Sequence, residues 1–311
     1  MSKARGLADL GNVYDDGALS NRNLIINSAM QVAQRGTSAT YSSNTSRGFV
    51  CDRWYAEGYP LNMTVSQSTI AYDGINYNSS SLSSITGSWN FLQAVEDGYV
   101  FNVGKTLTLS FVASGSGTIQ PITWIGTVAQ QNFGSSFALT STPTRYEITH
   151  TITGSGSGDD LYIGFSGSGG SFNVSLVQLE VGDTATPFEH PRSYGDELAR
   201  CQRYYQNIEP AVGSFGHFST AIMGLYNNGT QCFARYVFPV QMRATPSLAI
   251  SALSTFDIEP FDEAPDAVYT AGGSSKSLGM QVTAPTSRTQ GLAMMLTVDT
   301  AGGYINFDAE L

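Results

Sequence analysis

The chain has 311 residues, only 13 % of them charged, and a formal net charge of −10 from 15 basic and 25 acidic side chains. That balance repels a phosphate backbone and argues against nucleic-acid binding. A hydrophobic content of 41 %, with 16 Tyr and 16 Phe, excludes a disordered chain and leaves material for two cores.

Residues 1–22 are polar and without period, an expected N-terminal attachment arm. The opening "MSKARGLADLGNVYDDGAL" has no apolar h-region, so no signal peptide is expected and synthesis in a reducing cytoplasm follows. No apolar run reaches the length of a membrane span, so no membrane insertion is expected. Cys51, Cys201 and Cys232 form neither a disulfide framework nor a CxxC pair and read as buried free thiols. Five N-x-[ST] matches, at Asn44, Asn62, Asn78, Asn173 and Asn228, read as ordinary loop and strand residues.

From Asn23, "NLIINSAMQVAQRGTS" reads as an apolar strand start followed by a turn. The segments "NMTVSQSTI", "SLSSITG", "NFLQAVED", "KTLTLSFVAS", "PITWIGTVAQ", "TRYEITHTITG", "LYIGFSG" and "FNVSLVQLEV" follow, apolar at alternate positions. Leu107, Leu109 and Phe111 show the alternation most clearly, and clusters such as "GSGSGDD" separate the runs. Eight to ten strands over residues 23–190 predict a jelly-roll β-sandwich.

Residues 191–207 break the pattern. Pro187 and Pro191 end the last strand, Ser193 or Asp196 can cap a helix, and Leu198, Cys201 and Tyr205 fall at helical spacing, with Tyr204 widening the stripe. Such a linking helix either plugs the end of the sandwich or packs against its copies in an oligomer. Residues 208–311 return to six strands, from "FSTAIMGLY" to "YINFDAEL", and predict a second, smaller β-sandwich. The Asn-Gly of "YNNGTQ" marks a tight hairpin there. The fold class is therefore all-β: a jelly roll, one short linking helix and a second sandwich.

The search for chemistry returns little. His150, His190 and His217 lie in no HExxH or Cys/Asp/Glu pairing, and no phosphate loop or nucleophile elbow occurs, so no catalytic residue, metal ligand or cofactor is expected. The stretch 251–311 holds two basic and eight acidic residues. Its loop "FDIEPFDEAPDA" offers Asp257, Glu259, Asp262, Glu263 and Asp266, which read as solvated carboxylates, with a divalent-cation site or a glycosidase pair as sharper alternatives. Sugar rings stack on aromatic faces, and the candidate glycan-binding residues are Tyr59, Tyr72, Tyr77, Trp89, Trp124 and Tyr226, each weighed against ordinary core packing.

The blocks "NLIINSAMQVAQRGTS", "CDRW", "VQLEVGDTATPFEHPRSYGDELARCQRYY", "FPVQMRATP" and "FDAEL", in that order, resemble a family of tailed-bacteriophage tail fibre or receptor-binding proteins. The likeness spans nearly the whole chain. Ala33 precedes "QRG" where many relatives have Trp. The resemblance implies a non-enzymatic structural virion protein with a domain like carbohydrate-binding jelly rolls, a homotrimer, other virion tail proteins joined through the arm, and a host surface glycan as receptor. It implies a protein made in the host bacterial cytoplasm that works in the virion. A head, neck or baseplate fibre is the alternative, and a polysaccharide depolymerase, which calls for repeats and clustered acids, a weaker one. On this reading Leu198, Cys201, Tyr204 and Tyr205 form the oligomer interface.

Overall fold

In the computed structural model the described residues are 22–42, 48–98, 102–125, 131–153, 160–191, 193–209, 221–298, 300 and 302–310, with the backbone alone described at 42, 58–61 and 131–132. The expected attachment arm thus lies, Arg22 apart, outside the described residues. The chain is all-β apart from short helices, and it divides into two compact units, 1–197 and 198–310.

The first unit contains β1 (Ser38–Ser42), β2 (Gly48–Phe49), β3 (Tyr55–Tyr72), β4 (Ile75–Val95), β5 (Thr106–Ser116), β6 (Thr118–Ile125), β7 (Gln131–Asn132), β8 (Phe137–Ala138), β9 (Thr144–Thr151), β10 (Leu161–Ser168) and β11 (Ser171–Val181). The hydrogen-bonded order is β7-β6-β10-β4-β11-β5-β9, with β3 against β4, β1 and β2 against β3, and β8 against β6. All pairings in this unit are antiparallel.

Two long strands organise this unit. β3 and β4 meet at Asp73-Gly74, whose φ values of 50° and 75° are those of the primed hairpin turn that matches strand twist. Sequence reading cut these strands into three pieces. Their serines and glycines bend the backbone without ending its pairing: Ser84 and Gly87, at φ 54° and 92°, divide β4. Before the bend Leu82 pairs with Phe172 of β11, and after it Ser88 pairs with Ser168 of β10. One strand thus serves both layers of a sandwich. Between the layers Phe111 of β5 meets Phe165 of β10 at 4.7 Å, Trp89 stacks on Phe172 at 5.3 Å, and Trp54 stacks on Phe91 at 5.1 Å. Each such fully buried apolar side chain contributes roughly 1.5–3 kcal/mol. Leu107, Leu109 and Phe111 all face this core, as their alternation predicts.

The segment from Asn23 is not a strand. Asn27 and Met30 stand at φ 54°, which interrupts an extended run. Its backbone groups are satisfied by β11 instead: Leu24 N donates to Leu179 O at 3.0 Å, and Val177 N, within a bulge at Ser175–Gln178 that interrupts pairing with β5, donates to Ser28 O at 2.9 Å. Asn27 is the hub. Its Nδ2 donates to Val32 O and Asp52 O at 2.8 and 2.9 Å, and its Oδ1 accepts from Val32 N at 3.0 Å. Trp54 Nε1 donates to its carbonyl at 3.3 Å, and its own N–H donates to the buried Glu197 carboxylate.

Glu197 belongs to the helix α1 (Tyr194–Gln202). Ser193 caps it as expected: its Oγ accepts from Asp196 N at 3.1 Å and donates to Asp196 Oδ2 at 2.9 Å. Asp196 and Glu197 in the first turn and Arg200 in the last complement the helix dipole.

The second unit begins earlier than expected, because Tyr205–Ile208 is a strand (β12) rather than the end of the helix. It continues with β13 (Ile222–Asn228), β14 (Gln231–Val237), β15 (Ser247–Ile250), β16 (Phe256–Glu259), β17 (Ala267–Ser274), β18 (Ser277–Thr283), β19 (Ala293–Val298) and β20 (Ile305–Asp308). A three-stranded sheet, β12-β20-β15, and a six-stranded sheet, β16-β19-β13-β14-β18-β17, share one apolar core in which Ile305 and Phe307 join Ile222, Met280 and Leu296. This is the predicted smaller sandwich, and β13 and β14 form the hairpin expected at Asn228-Gly229.

Candidate functional site

In the first unit the layer β3-β4-β10-β6 has a core side and an outer side. Strand alternation sends Phe91, Phe165 and Ile125 inward and leaves Tyr55, Leu92, Tyr162, Ile122 and Trp124 on the outer side. The registers place these residues in rows. Arg53 hydrogen-bonds Ala94 O at 2.5 Å, Ala94 pairs with Tyr162, and Tyr162 pairs with Trp124. One step on run Tyr55, Leu92, Gly164 and Ile122. The next row is polar throughout: Glu57, Asn90, Ser166 and Gln120.

The rings make a continuous ribbon. Phe49 lies 5.6 Å from Tyr55, Tyr55 lies 6.4 Å edge-on from Tyr162, and Tyr162 lies 6.4 Å from Trp124. The Arg35 guanidinium sits 4.4 Å over Phe49 and closes one end. Phe49, Tyr162 and Trp124 are half-buried, as are all four members of the polar row. Asn90 Nδ2 donates to Glu57 Oε1 at 3.3 Å, which orients both groups along the row. The Trp124 Nε1–H is buried and has no acceptor among the described residues. Gly164, in the row of Tyr55, Leu92 and Ile122, is buried and has no room for a side chain, because a Cβ there would lie 2.1 Å from Phe91 O. Aromatic faces beside fixed amide, hydroxyl and carboxylate groups suit a ligand with an apolar face and a hydroxylated rim.

Of the candidate glycan-binding residues whose side chains are described, only Trp124 lies on this surface. Tyr59 follows Glu57 with the same alternation, but its side chain lies outside the described residues. Trp89 and Tyr226 are core residues, 2 % and 1 % exposed. Trp89 faces inward with Phe91, two positions on, and burial pushes the Tyr226 hydroxyl above its ordinary pKa. Tyr72 and Tyr77 pack with Phe188 on a separate small cluster around Ile70 and Leu176, where Tyr77 also stacks on His190 at 5.8 Å. Four of the five described candidates therefore do not converge on the aromatic ribbon.

The expected oligomer stripe also changes. Cys201, Tyr204 and Tyr205 are buried, and of the four residues of that stripe only Leu198 is partly exposed; Tyr194, one turn before it on the same helix, is 56 % exposed. In the acidic loop Glu263 pairs with Arg288, whose guanidinium lies 4.2 Å over Phe261. No group of three metal-ligating side chains forms among the described residues. Nor is any helix of the described residues long and apolar enough to cross a membrane. The three cysteines are free and buried, as expected, and burial pushes the Cys51 thiol up to about 11.

A concavity of about 390 Å³ lies elsewhere, over β4, β11 and β5, lined by Ser81, Ser114, Ser116, Ser141, Ser171 and Asn173. The nearby Phe172 ring is turned into the core, so this groove offers hydroxyls without an aromatic face.

No protein-family model matches the chain, and no curated protein matches it. Among solved structures, the enzymatically active domain of tailspike protein 4 of bacteriophage CBA120 is similar over 52 % of this chain and 22 % of its own, at 15 % identity and a TM-score of 0.33. A CBM4 structure is similar over 50 % of this chain and 98 % of its own, at 16 % identity and a TM-score of 0.34. The CBM22-1 xylan-binding domain of Xyn10C from Paenibacillus barcinonensis is similar over 52 % of this chain and 96 % of its own, at 10 % identity and a TM-score of 0.33.

Proposed function

We propose that this chain is a non-catalytic, glycan-binding fibre protein of a tailed-bacteriophage virion, attaching the particle to its host. The observation that carries the glycan reading is the ribbon Phe49–Tyr55–Tyr162–Trp124 lying one to two register steps from the polar row Glu57–Asn90–Ser166–Gln120. A pyranose ring presents apolar C–H groups on one face and hydroxyls at its edge. The C–H face stacks on Trp124 and Tyr162, while the hydroxyls meet the carboxylate and amides one residue repeat away. Tyr55 is buried beneath the platform and only Phe49, Tyr162 and Trp124 are partly accessible, so affinity per site is modest, and a homo-oligomer, which the family resemblance implies as a trimer, raises it through simultaneous attachment. The N-terminal arm joins the fibre to other tail proteins.

The test is an array of bacterial surface oligosaccharides, followed by calorimetry on the best ligand. Trp124→Ala and Tyr162→Ala are each expected to weaken binding at least about tenfold, which is ~1.4 kcal/mol. Unchanged affinity in both variants refutes the site. New reducing ends after prolonged incubation with the bound polysaccharide refute the non-catalytic part.

A further inference from the structure

The six-stranded sheet of the second unit buries one face, and on the other it leaves several large apolar side chains exposed, although Thr297 and Ser277 there are buried. Its inward residues, among them Cys232, Met280 and Leu296, form the core. Alternation then sends Met223 and Leu225 of β13, Phe233 and Val237 of β14, Tyr269 of β17 and Met295 of β19 to the outer face. The registers bring them together: Met223 pairs with Met295, Leu225 with Phe233, and Gln281 bridges Phe233 to Tyr269. Met223 is 73 % exposed and Val237 67 %.

We infer that this face is the surface through which copies of this chain associate. The inference rests on the homo-oligomeric part of the proposed function and is independent of its glycan part. Two observations fix the occupant as a second copy. The first is clustering: Leu225, Phe233 and Tyr269 are 54, 42 and 58 % exposed beside Met223 and Val237, and large apolar side chains gathered on one face mark an association surface rather than single scattered exposures. The second is charge. The chain as a whole carries −10, which repels its copies. On this face the carboxylates Asp257 and Glu259 are confined to the edge strand β16, while Arg235 stands three strands away on β14, held by Ser277 at 2.7 and 3.0 Å. Glu259 pairs with Met295 and Met295 with Met223, so methionines separate the two signs. A copy of the same face can be met with its acidic edge toward the other's Arg235, in a pair or a closed ring, without opposing like charges. The unbranched methionines adapt to that contact.

The experiment is light scattering on the full chain, with Met223→Asp and Val237→Lys as separate variants. Both side chains are largely solvated, so neither substitution empties the core. The wild type is expected at a small multiple of 33.2 kDa. Each variant is expected to weaken association about thirtyfold or more and shift the mass toward one chain at micromolar concentration, while the dissociated chain still unfolds cooperatively. A wild type that stays monomeric overturns the inference and leaves the face to a different partner. Variants that keep the wild-type mass also overturn it, whatever their glycan binding, since per-chain affinity at the aromatic ribbon is measured separately.

Discussion

Asn27 is the residue whose loss should be felt most for its size. It is fully buried, and its carboxamide satisfies one N–H and two carbonyls of the segments it holds together. Asn27→Gly removes those three bonds while tolerating the φ of 54°. Each buried backbone group left without a partner costs about 1–3 kcal/mol, and partial hydration of the vacated space reduces the sum, so the expected loss is roughly 3–5 kcal/mol. Asn27→Ala should lose about 1–2 kcal/mol more, since a Cβ is strained in the left-handed region. Against a typical total of 5–15 kcal/mol this is a large fraction. The chain's three tryptophans, Trp54, Trp89 and Trp124, all lie in the first unit, so tryptophan emission during urea unfolding reads that sandwich alone. With a slope of ~2 kcal/mol/M the midpoint should fall by roughly 2 M for Asn27→Gly. A fall below about 0.5 M, or Ala more stable than Gly, would refute the account of Asn27 as the hub.

Other outcomes follow from the burial pattern. The Cys51 thiol, raised from 9.0 to about 11 chiefly by burial, favours the folded state while it stays protonated. That stability is fully present below pH 9 and is lost as pH rises toward 11, by up to about 3 kcal/mol. Urea midpoints of the wild type should therefore drop between pH 8 and 10.5 more than those of Cys51→Ala, and parallel curves would contradict the burial. Leu198→Asp should leave the native mass unchanged, because its expected stripe partners Cys201, Tyr204 and Tyr205 are inside the chain; a drop to one chain by light scattering would restore the helix as the interface.

Alternation was legible wherever a strand is half-buried, as at Leu107, Leu109 and Phe111, and so was the cap of α1, because both signals are local. The aromatic ribbon was not. Tyr162 lies in "LYIGFSG" and Trp124 in "PITWIGTVAQ", and only the register Tyr162–Trp124 makes them neighbours. Glu57 and Asn90 meet through a hairpin whose turn is at residues 73 and 74. Cross-strand neighbours so far apart in sequence leave no local pattern. Trp89 and Tyr226 are candidates by residue type, and residue type alone says nothing about which side of the sheet a side chain takes; both are core. The same limit hid the face of Met223, Leu225 and Phe233, whose residues read as ordinary strand positions until the six strands are set in order.

The segments that carry the family resemblance and the residues of the proposed site separate in space and in role. Asn23 and Asn27 from the first block, Asp52 and Trp54 from "CDRW", and Glu189 and Glu197 from the long third block are joined by hydrogen bonds into one structural knot. Asn23 Nδ2 also ties that knot to Val177 at 3.0 Å. Tyr162, Trp124, Glu57, Asn90, Ser166 and Gln120 all fall outside those blocks. Resemblance in the blocks therefore reports the scaffold, whose side chains are buried and committed to one another. The residues of the proposed site stand instead at half-buried strand positions outside that knot. Substitutions divide accordingly: Trp124→Ala and Tyr162→Ala should change binding with little effect on unfolding, whereas Asn27→Gly should change unfolding first. If Trp124→Ala and Tyr162→Ala instead destabilised the first sandwich as much as Asn27→Gly, the ribbon would be core, and its claim to a ligand would fail.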